Sequence, residues 1–305
     1  MTHLLPPILL VCLLLLASCQ TPEEQTRHYL FLGHPYSWHT PYKIDPRLET
    51  LDYQQFDQVW LGGDVCAQTS EKVSTLQYLD SLFDLDSDRL HWTIGNHDLK
   101  HGELERIMRF TGRPAFYTTW LEGICLMVLN TNLFWFYDAP PAQEQCETKA
   151  AQLDMIEQVL DTVREASHLI ILHHHAILND LKKDQEGNLI KTFNVNPLSI
   201  HPGCDSTLEL TSWLYPKLKK VQEKSIPVIL IGGDFGMRAK EFAYQTEEGI
   251  WLLGSGINNS IPRSQVPDYV TSLDPDKVLI LEHQPMAEKL SWAFVLLNEL
   301  VKNEN

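Results

Sequence analysis

Residues 90–102 read LHWTIGNHDLKHG, a short apolar run that stops at Gly95 and then delivers Asn96, His97 and Asp98 in succession. Two other runs end in the same manner. DQVWLGGDVCA (57–67) breaks at Gly62-Gly63 and delivers Asp64, and PVILIGGDFGMR (227–238) breaks at Gly232-Gly233 and delivers Asp234. His34 follows an apolar run at 28–33, and His173, His174 and His175 close another at 168–175. A glycine before the polar group in four of the five, at Gly33, Gly63, Gly95 and Gly233, lets the backbone turn sharply and approach its neighbours. Carboxylates, amides and imidazoles are expensive to bury unpaired. Five such endings therefore point to one shared polar site, and in open α/β sheets the carboxyl ends of the strands gather on one edge where ligands bind.

Outward from these corners the pattern alternates between strands and helices. Apolar runs predict strands at 28–33, 58–62, 90–95, 124–130, 168–173, 228–232, 250–254, 277–283 and 291–297. Amphipathic stretches predict helices at 71–83, 102–112, 148–166 and 207–224, with Pro216 expected to kink or restart the last. Two long connections, 131–147 and 179–206, are candidate binding elements, the first carrying Phe134, Trp135, Phe136 and Tyr137. No internal repeat or low-complexity tract interrupts a single domain over 28–300.

The chain has 305 residues, 44% of them hydrophobic and 21% charged, enough apolar material for one large α/β domain. Its 24 Lys and Arg against 40 Asp and Glu give a net charge of −16. Such a surface repels phosphate backbones and argues against nucleic acid as a partner. Small anionic substrates stay open, because a bound metal can dominate the local field.

The N-terminus, MTHLLPPILLVCLLLLASC, holds an apolar run too short to span a bilayer comfortably. Its ending, Leu16-Ala17-Ser18-Cys19, resembles a bacterial lipobox. That resemblance implies a signal peptide over 1–18, a lipid on Cys19, a linker over 19–27 and residence in the cell envelope as a membrane lipoprotein, on its periplasmic or outer-membrane side. An uncleaved anchor or a non-lipidated signal peptide would equally carry the domain out of the cytoplasm. Of the remaining cysteines, Cys66, Cys125, Cys146 and Cys204 show no metal-binding or redox spacing. Two readings stand for them: a disulfide between Cys146 and Cys204 in an oxidising compartment, or four independent small hydrophobes. Cys66 has no recognisable thiol-enzyme motif around it.

On LGGDV (61–65), IGNHDLKHG (94–102) and LHHHAIL (172–178) the chain resembles the calcineurin-like metallophosphoesterases. LNT (129–131) and Gln152-Leu153 echo weaker family positions, and the resemblance spans roughly 28–297. It implies a four-layer α/β/β/α sandwich of two mixed sheets with a two-metal site at their strand ends. Asp64 would bridge the metals, Asn96 and His174 would bind the second, and His97 would be the general acid, oriented by Asp98. Ala176 stands where the family has proline, which selects His174 as the ligand. Strand alternation then turns His173 and His175 the other way.

Two motifs depart from the family. Its first motif, D-x-H, is here Gly33-His34-Pro35-Tyr36, so His34 stands for the aspartate and Tyr36 for the histidine. Its last, G-H-x-H, is Gly233-Asp234-Phe235-Gly236, so Asp234 replaces one imidazole and Gly236 the other. One metal position keeps Asp64, Asn96 and His174 with Asp234, a donor set suited to divalent Mn, Fe or Zn. The other keeps Asp64, with His34 as the residue that would have to rebuild it. The expected activity is hydrolysis of a small phosphomono- or phosphodiester by metal-activated water. The alternative is a non-catalytic binding or accessory lipoprotein on a degraded phosphoesterase scaffold.

Overall fold

A computed structural model describes residues 25–134, 142–178, 204, 210–258, 261–268 and 270–302. Cys19, the signal peptide and Trp135–Tyr137 lie outside these residues. Along the chain run β1 (Arg27–Leu32), β2 (Gln58–Leu61), α1 (Val73–Phe83), β3 (Leu90–Trp92), α2 (Asn96–Leu99), α3 (Leu104–Thr111), β4 (Tyr117–Leu121) and β5 (Ile124–Val128). There follow α4 (Gln143–Thr162), β6 (His168–His173), α5 (Leu210–Glu223), β7 (Val228–Gly232), β8 (Glu241–Gln245), β9 (Trp251–Ser255), β10 (Lys277–Gln284), β11 (Lys289–Leu296) and α6 (Leu297–Lys302).

The strands form two mixed sheets, ordered β11-β10-β1-β2-β3 and β4-β5-β6-β7-β9-β8. The inner strands read as continuous apolar runs because both of their faces are covered. Side chains alternate faces along a strand, so each run feeds two cores at once. Tyr29, Phe31 and Trp60 of the first sheet meet Leu126, Val128, Ile170, Leu172, Ile229 and Ile231 of the second. On the outer face of the first sheet, Leu30, Leu32, Val59 and Leu61 pack on Leu76 and Leu79 of α1 and Ile107 of α3. On the outer face of the second, Met127, Ile171 and Leu230 pack on Ile156 and Leu160 of α4 and on Leu214 and Leu218 of α5. Each buried Leu or Ile contributes about 1.5–3 kcal/mol. The layers are helix, sheet, sheet, helix, as expected.

Three differences from the sequence reading have plain causes. β4 and β8 were not predicted: both are sheet edges, with exposure alternating along them rather than a sustained apolar run. β4 reaches β5 through Glu122 and Gly123, both at positive φ (46° and 100°), a two-residue turn whose backbone twist suits a hairpin. Pro216 does not restart α5, which runs through it from Leu210 to Glu223. The proline removes one donor, while Leu210, Leu214, Leu218 and Val221 stay buried on one face and hold the helix together. Cys146, in the first turns of α4, is joined to Cys204 across a Cα–Cα distance of 5.5 Å, and Cys66 and Cys125 are buried and free.

Candidate metal centre

The two Gly-Gly-Asp corners meet each other. A Cβ on Gly233 would stand 1.7 Å from the Gly62 carbonyl oxygen, and one on Gly62 would stand 2.9 Å from the Gly233 Cα. Only bare backbone allows β2 of one sheet and β7 of the other to close to this distance. The contact carries Asp64 and Asp234 to opposite flanks of one small volume. Backbone bonds tie the histidine run into the same knot, the Gly233 N–H donating to His173 O at 3.0 Å and the Asp234 N–H to His174 O at 3.0 Å. His34 and Asp64 both sit in the left-handed region, with φ of 53° and 51°. Such backbone is disfavoured for side-chain-bearing residues and concentrates at functional sites.

His34, His174 and Asp234 each present one ligand atom within 4.8 Å of the others, and all three are buried. Asp64 lies between the imidazoles: its Oδ2 is 2.9 Å from His34 Nε2 and 3.4 Å from His174 Nε2. Asp234 Oδ1 is 3.8 Å from His34 Nε2. His174 Nδ1 donates to the Gly62 carbonyl at 2.7 Å, which fixes a ring proton there and turns Nε2 inward, toward the carboxylates. Nε2 makes no hydrogen bond of good geometry, nor does Nδ1 of His34. An imidazole held through one nitrogen by a backbone carbonyl, its other nitrogen bare and facing carboxylates, is what a cation-binding histidine requires. Two imidazoles and two carboxylates suit a divalent transition ion.

The electrostatics express the same demand for positive charge. Burial alone would raise Asp64, but the nearby charge of His174, together with the hydrogen bond and charge of His34, holds it well below the usual carboxylate range. Burial would lower His174, yet Asp64 and Asp234 raise it to about 9. His175, beside it, is held well below an ordinary histidine by burial and by the His174 charge. Burial takes His173 down to about 4.

His97 stands at the edge of this volume. Its backbone N–H donates to Asp64 Oδ1 at 2.7 Å, and its Nδ1 pairs with the Ala67 carbonyl at 3.0 Å. The ring stacks on Tyr36, with centroids 5.5 Å apart and planes 19° from parallel. Asp98 does not orient it. The Asp98 carboxylate accepts instead from the N–H groups of Asp64, Val65 and Gly95, from Thr69 Oγ1 and from Trp92 Nε1. These bonds bind the β2 corner to the β3 corner, so the role expected for Asp98 falls to Ala67. Burial and the Asp64 charge raise the Asp98 carboxyl, opposed by Thr69, Gly95 and Val65.

Among solved structures, GAP50, described as the anchor in the inner membrane complex of Plasmodium, superposes with a TM-score of 0.52. It is 9% identical, over 90% of this chain and 85% of that one. A dimetal phosphatase from Danio rerio superposes with a TM-score of 0.51 at 11% identity, over 89% of this chain and 96% of that one. The fold is metallophosphoesterase-like. At such identities the likeness establishes the fold alone. No family model matches the sequence, and no curated protein is similar to it.

This fold collects His34, Asp64, Asn96 and His97 from the strand ends of one sheet and His174 and Asp234 from those of the other, each from the strand ending read in the sequence. His34 joins the same group as His174 and Asp234 rather than standing apart as half of a second position. Opposite, Tyr36 places its ring edge-on to His34 at 4.9 Å. A Cβ at Gly236 would come within 3.1 Å of the Ile257 amide, so Gly236 has the Ile257 backbone packed against it. His175 departs from the alternation argument. β6 ends at His173, and past that point the chain bends, so His175 turns toward the site and reaches Asn96 Oδ1 at 3.2 Å. Alternation holds within a strand and lapses one residue beyond it. Thr131, at the end of LNT, is the other residue not singled out, and the strand-end rule applied to β5 would have found it.

Proposed function

We propose that this chain is a metal-dependent phosphoesterase whose cation is held by His34, Asp64, His174 and Asp234, with Asn96 as a further ligand. The observation that carries the reading is the convergence of two buried imidazoles, His174 through a bare Nε2 and His34 through an Nε2 already paired with Asp64, on two buried carboxylates at the carboxyl ends of β1, β2, β6 and β7. A divalent ion there supplies Lewis acidity to a phosphoryl group. His97 acts at Nε2. Its Nδ1 is committed to the Ala67 carbonyl, so the protonated ring has its second N–H free for the leaving oxygen of the ester. Tyr36 stacked on its face restrains the ring plane. The buried carboxylates exclude excess anionic charge unless a cation is present, which makes ester binding depend on metal loading.

The test is hydrolysis of bis(p-nitrophenyl) phosphate after reconstitution with Mn, Zn or Fe(II). Wild type is expected to turn over, and Asp64→Ala and His97→Ala to lose at least 100-fold, the scale on which acid–base and electrostatic groups act. Equal rates in all three would end the reading. A second reading, a non-catalytic binding protein on this scaffold, is favoured by Tyr36 and Gly236 at positions where the family resemblance calls for imidazoles. GAP50, described as an anchor, has the same fold. Metal content separates the two: about one transition ion per chain after gentle purification supports chemistry, and none supports the binding protein. We also propose that the domain is tethered through lipidated Cys19 to the envelope membrane. No helix among the described residues is long and apolar enough to cross a membrane. Cys19→Ser is expected to move the protein from the membrane fraction to the soluble one, and an unchanged distribution would remove the anchor.

A further inference from the structure

Thr131 and His175 are buried against the centre without belonging to its ligand set. Thr131 Oγ1 accepts the His175 backbone N–H at 3.0 Å and lies 3.0 Å from His175 Nδ1. His175 Nε2 lies 3.2 Å from Asn96 Oδ1. A hydroxyl has one proton and two lone pairs, and a neutral imidazole has a single N–H. With one lone pair of Thr131 taken by the backbone, its proton finds an acceptor in Nδ1. His175 then bears its own proton on Nε2 and donates it to Asn96 Oδ1. The opposite tautomer leaves the Thr131 proton without an acceptor among the described residues and sets the Nε2 lone pair against the carboxamide oxygen.

The start of this relay is fixed on two sides. Gln152 of α4 accepts the Asn130 N–H at 2.7 Å and donates to the Asn130 carbonyl at 3.1 Å. Asn132 Nδ2 donates to the Ile94 carbonyl at 2.9 Å, two residues before Asn96, and Thr93 Oγ1 donates to the Leu129 carbonyl at 2.7 Å. Thr131 is thus anchored both to α4 and to the loop that carries Asn96.

We infer that His175 is a positioning residue: the Thr131 hydroxyl holds it in the Nε2–H tautomer, and that N–H fixes the Asn96 carboxamide for the cation. One lone pair of Asn96 Oδ1 takes the hydrogen bond and the other is left for the ion. The cation part rests on the metal reading above; the tautomer part does not. Outer partners of metal ligands are typically worth 10–100-fold in affinity.

Two measurements test it. Long-range proton–nitrogen NMR of the wild-type, metal-free protein reads the tautomer directly. Protonated Nε2 with an unprotonated Nδ1 accepting from Thr131 is expected on His175, and protonated Nδ1 would overturn the relay. Co(II) titration of EDTA-stripped protein, followed by calorimetry and d–d absorption, reads the consequence. His175→Leu is expected to weaken Co(II) by about 10–100-fold and alter the spectrum. His175→Gln, whose amide N–H reaches toward Asn96 from a similar place, is expected to restore most of the affinity. Thr131→Val is expected to fall between, with Thr131→Ser close to wild type. Equal losses in His175→Leu and His175→Gln, or no loss in either, would overturn the positioning role. A wild-type chain that takes up no Co(II) would instead sink the metal reading, and the tautomer measurement would still decide the relay.

Discussion

Replacing Asp98 is expected to unfold the corner rather than merely disarm His97, and the size of the effect follows from its partners. Its buried carboxylate accepts three backbone N–H groups, from Asp64, Val65 and Gly95, at 2.8–2.9 Å. It also accepts the Trp92 indole at 3.2 Å and the Thr69 hydroxyl at 2.7 Å. In Asp98→Ala the Thr69 hydroxyl can still use the Cys66 carbonyl, 3.1 Å away. Four donors then lose their acceptor, each at about 1–3 kcal/mol when buried. Allowing for water entering the space left behind, the loss is about 4–6 kcal/mol, a large share of the roughly 5–15 kcal/mol that holds an ordinary domain folded. Asp98→Asn keeps an oxygen for Asp64, Gly95 and Trp92 but turns an amide N–H toward Val65, a loss of about 2–3 kcal/mol. Urea denaturation in EDTA, followed by tryptophan fluorescence at unchanged m-value, measures both. If Asp98→Ala unfolds within about 1 kcal/mol of wild type, the two corners are not held by this carboxylate and the account given of Asp98 is wrong.

Gly233→Ala is expected to cost more than about 3 kcal/mol or to prevent folding, because its Cβ would lie 1.7 Å from the Gly62 oxygen. Gly112→Ala, at φ +62° with nothing within 4 Å, is the control and should lose only about 1 kcal/mol; comparable soluble yields and melting curves would refute the corner contact. Serine at Cys146 and Cys204 should lower stability by about 2–4 kcal/mol, since the bridge joins residues 58 apart and restricts the unfolded chain; chemical denaturation with and without reductant checks it. His91 is lowered from 6.5 to about 3, first by burial and then by Arg113, so it stays neutral in the fold while the unfolded chain takes up its proton below 6.5. Its contribution is therefore whole above that value and is lost as pH falls toward 3. Between pH 7 and 5 the wild type should lose about 2 kcal/mol more than His91→Gln, and parallel urea curves at the two pH values would contradict this.

Much of this protein was legible before any coordinates. The apolar runs at 58–62, 124–130, 168–173 and 228–232 became β2, β5, β6 and β7 because strands buried on both faces leave a continuous apolar signature. The edge strands β4 and β8 were not legible, since YTTWL and EFAYQ interleave polar residues and neither holds a sustained apolar run, whereas β11, also an edge, keeps the apolar WAFVL. Asp64, Asn96, His174 and Asp234 could be named from the chain because each follows on a strand, and the carboxyl ends of parallel strands are where a ligand site gathers whatever the loops do.

The partners of those residues were another matter. That Asp98 knots two corners while the Ala67 carbonyl holds His97 depends on how two loops from different strands cross, and neither loop's sequence contains the other's geometry. The same holds for His175, whose direction was fixed by where β6 stops rather than by its place in a run of histidines. By itself the sequence determined the layers and which chemical groups arrive at the sheet edge, because strand burial and strand endings are local properties written in residue type and spacing. Only the tertiary structure decided that the two Gly-Gly-Asp corners touch and that His34 joins His174 and Asp234. Those outcomes arise from backbone contact between segments about 170 residues apart, where hydrogen-bond direction and steric fit act across space.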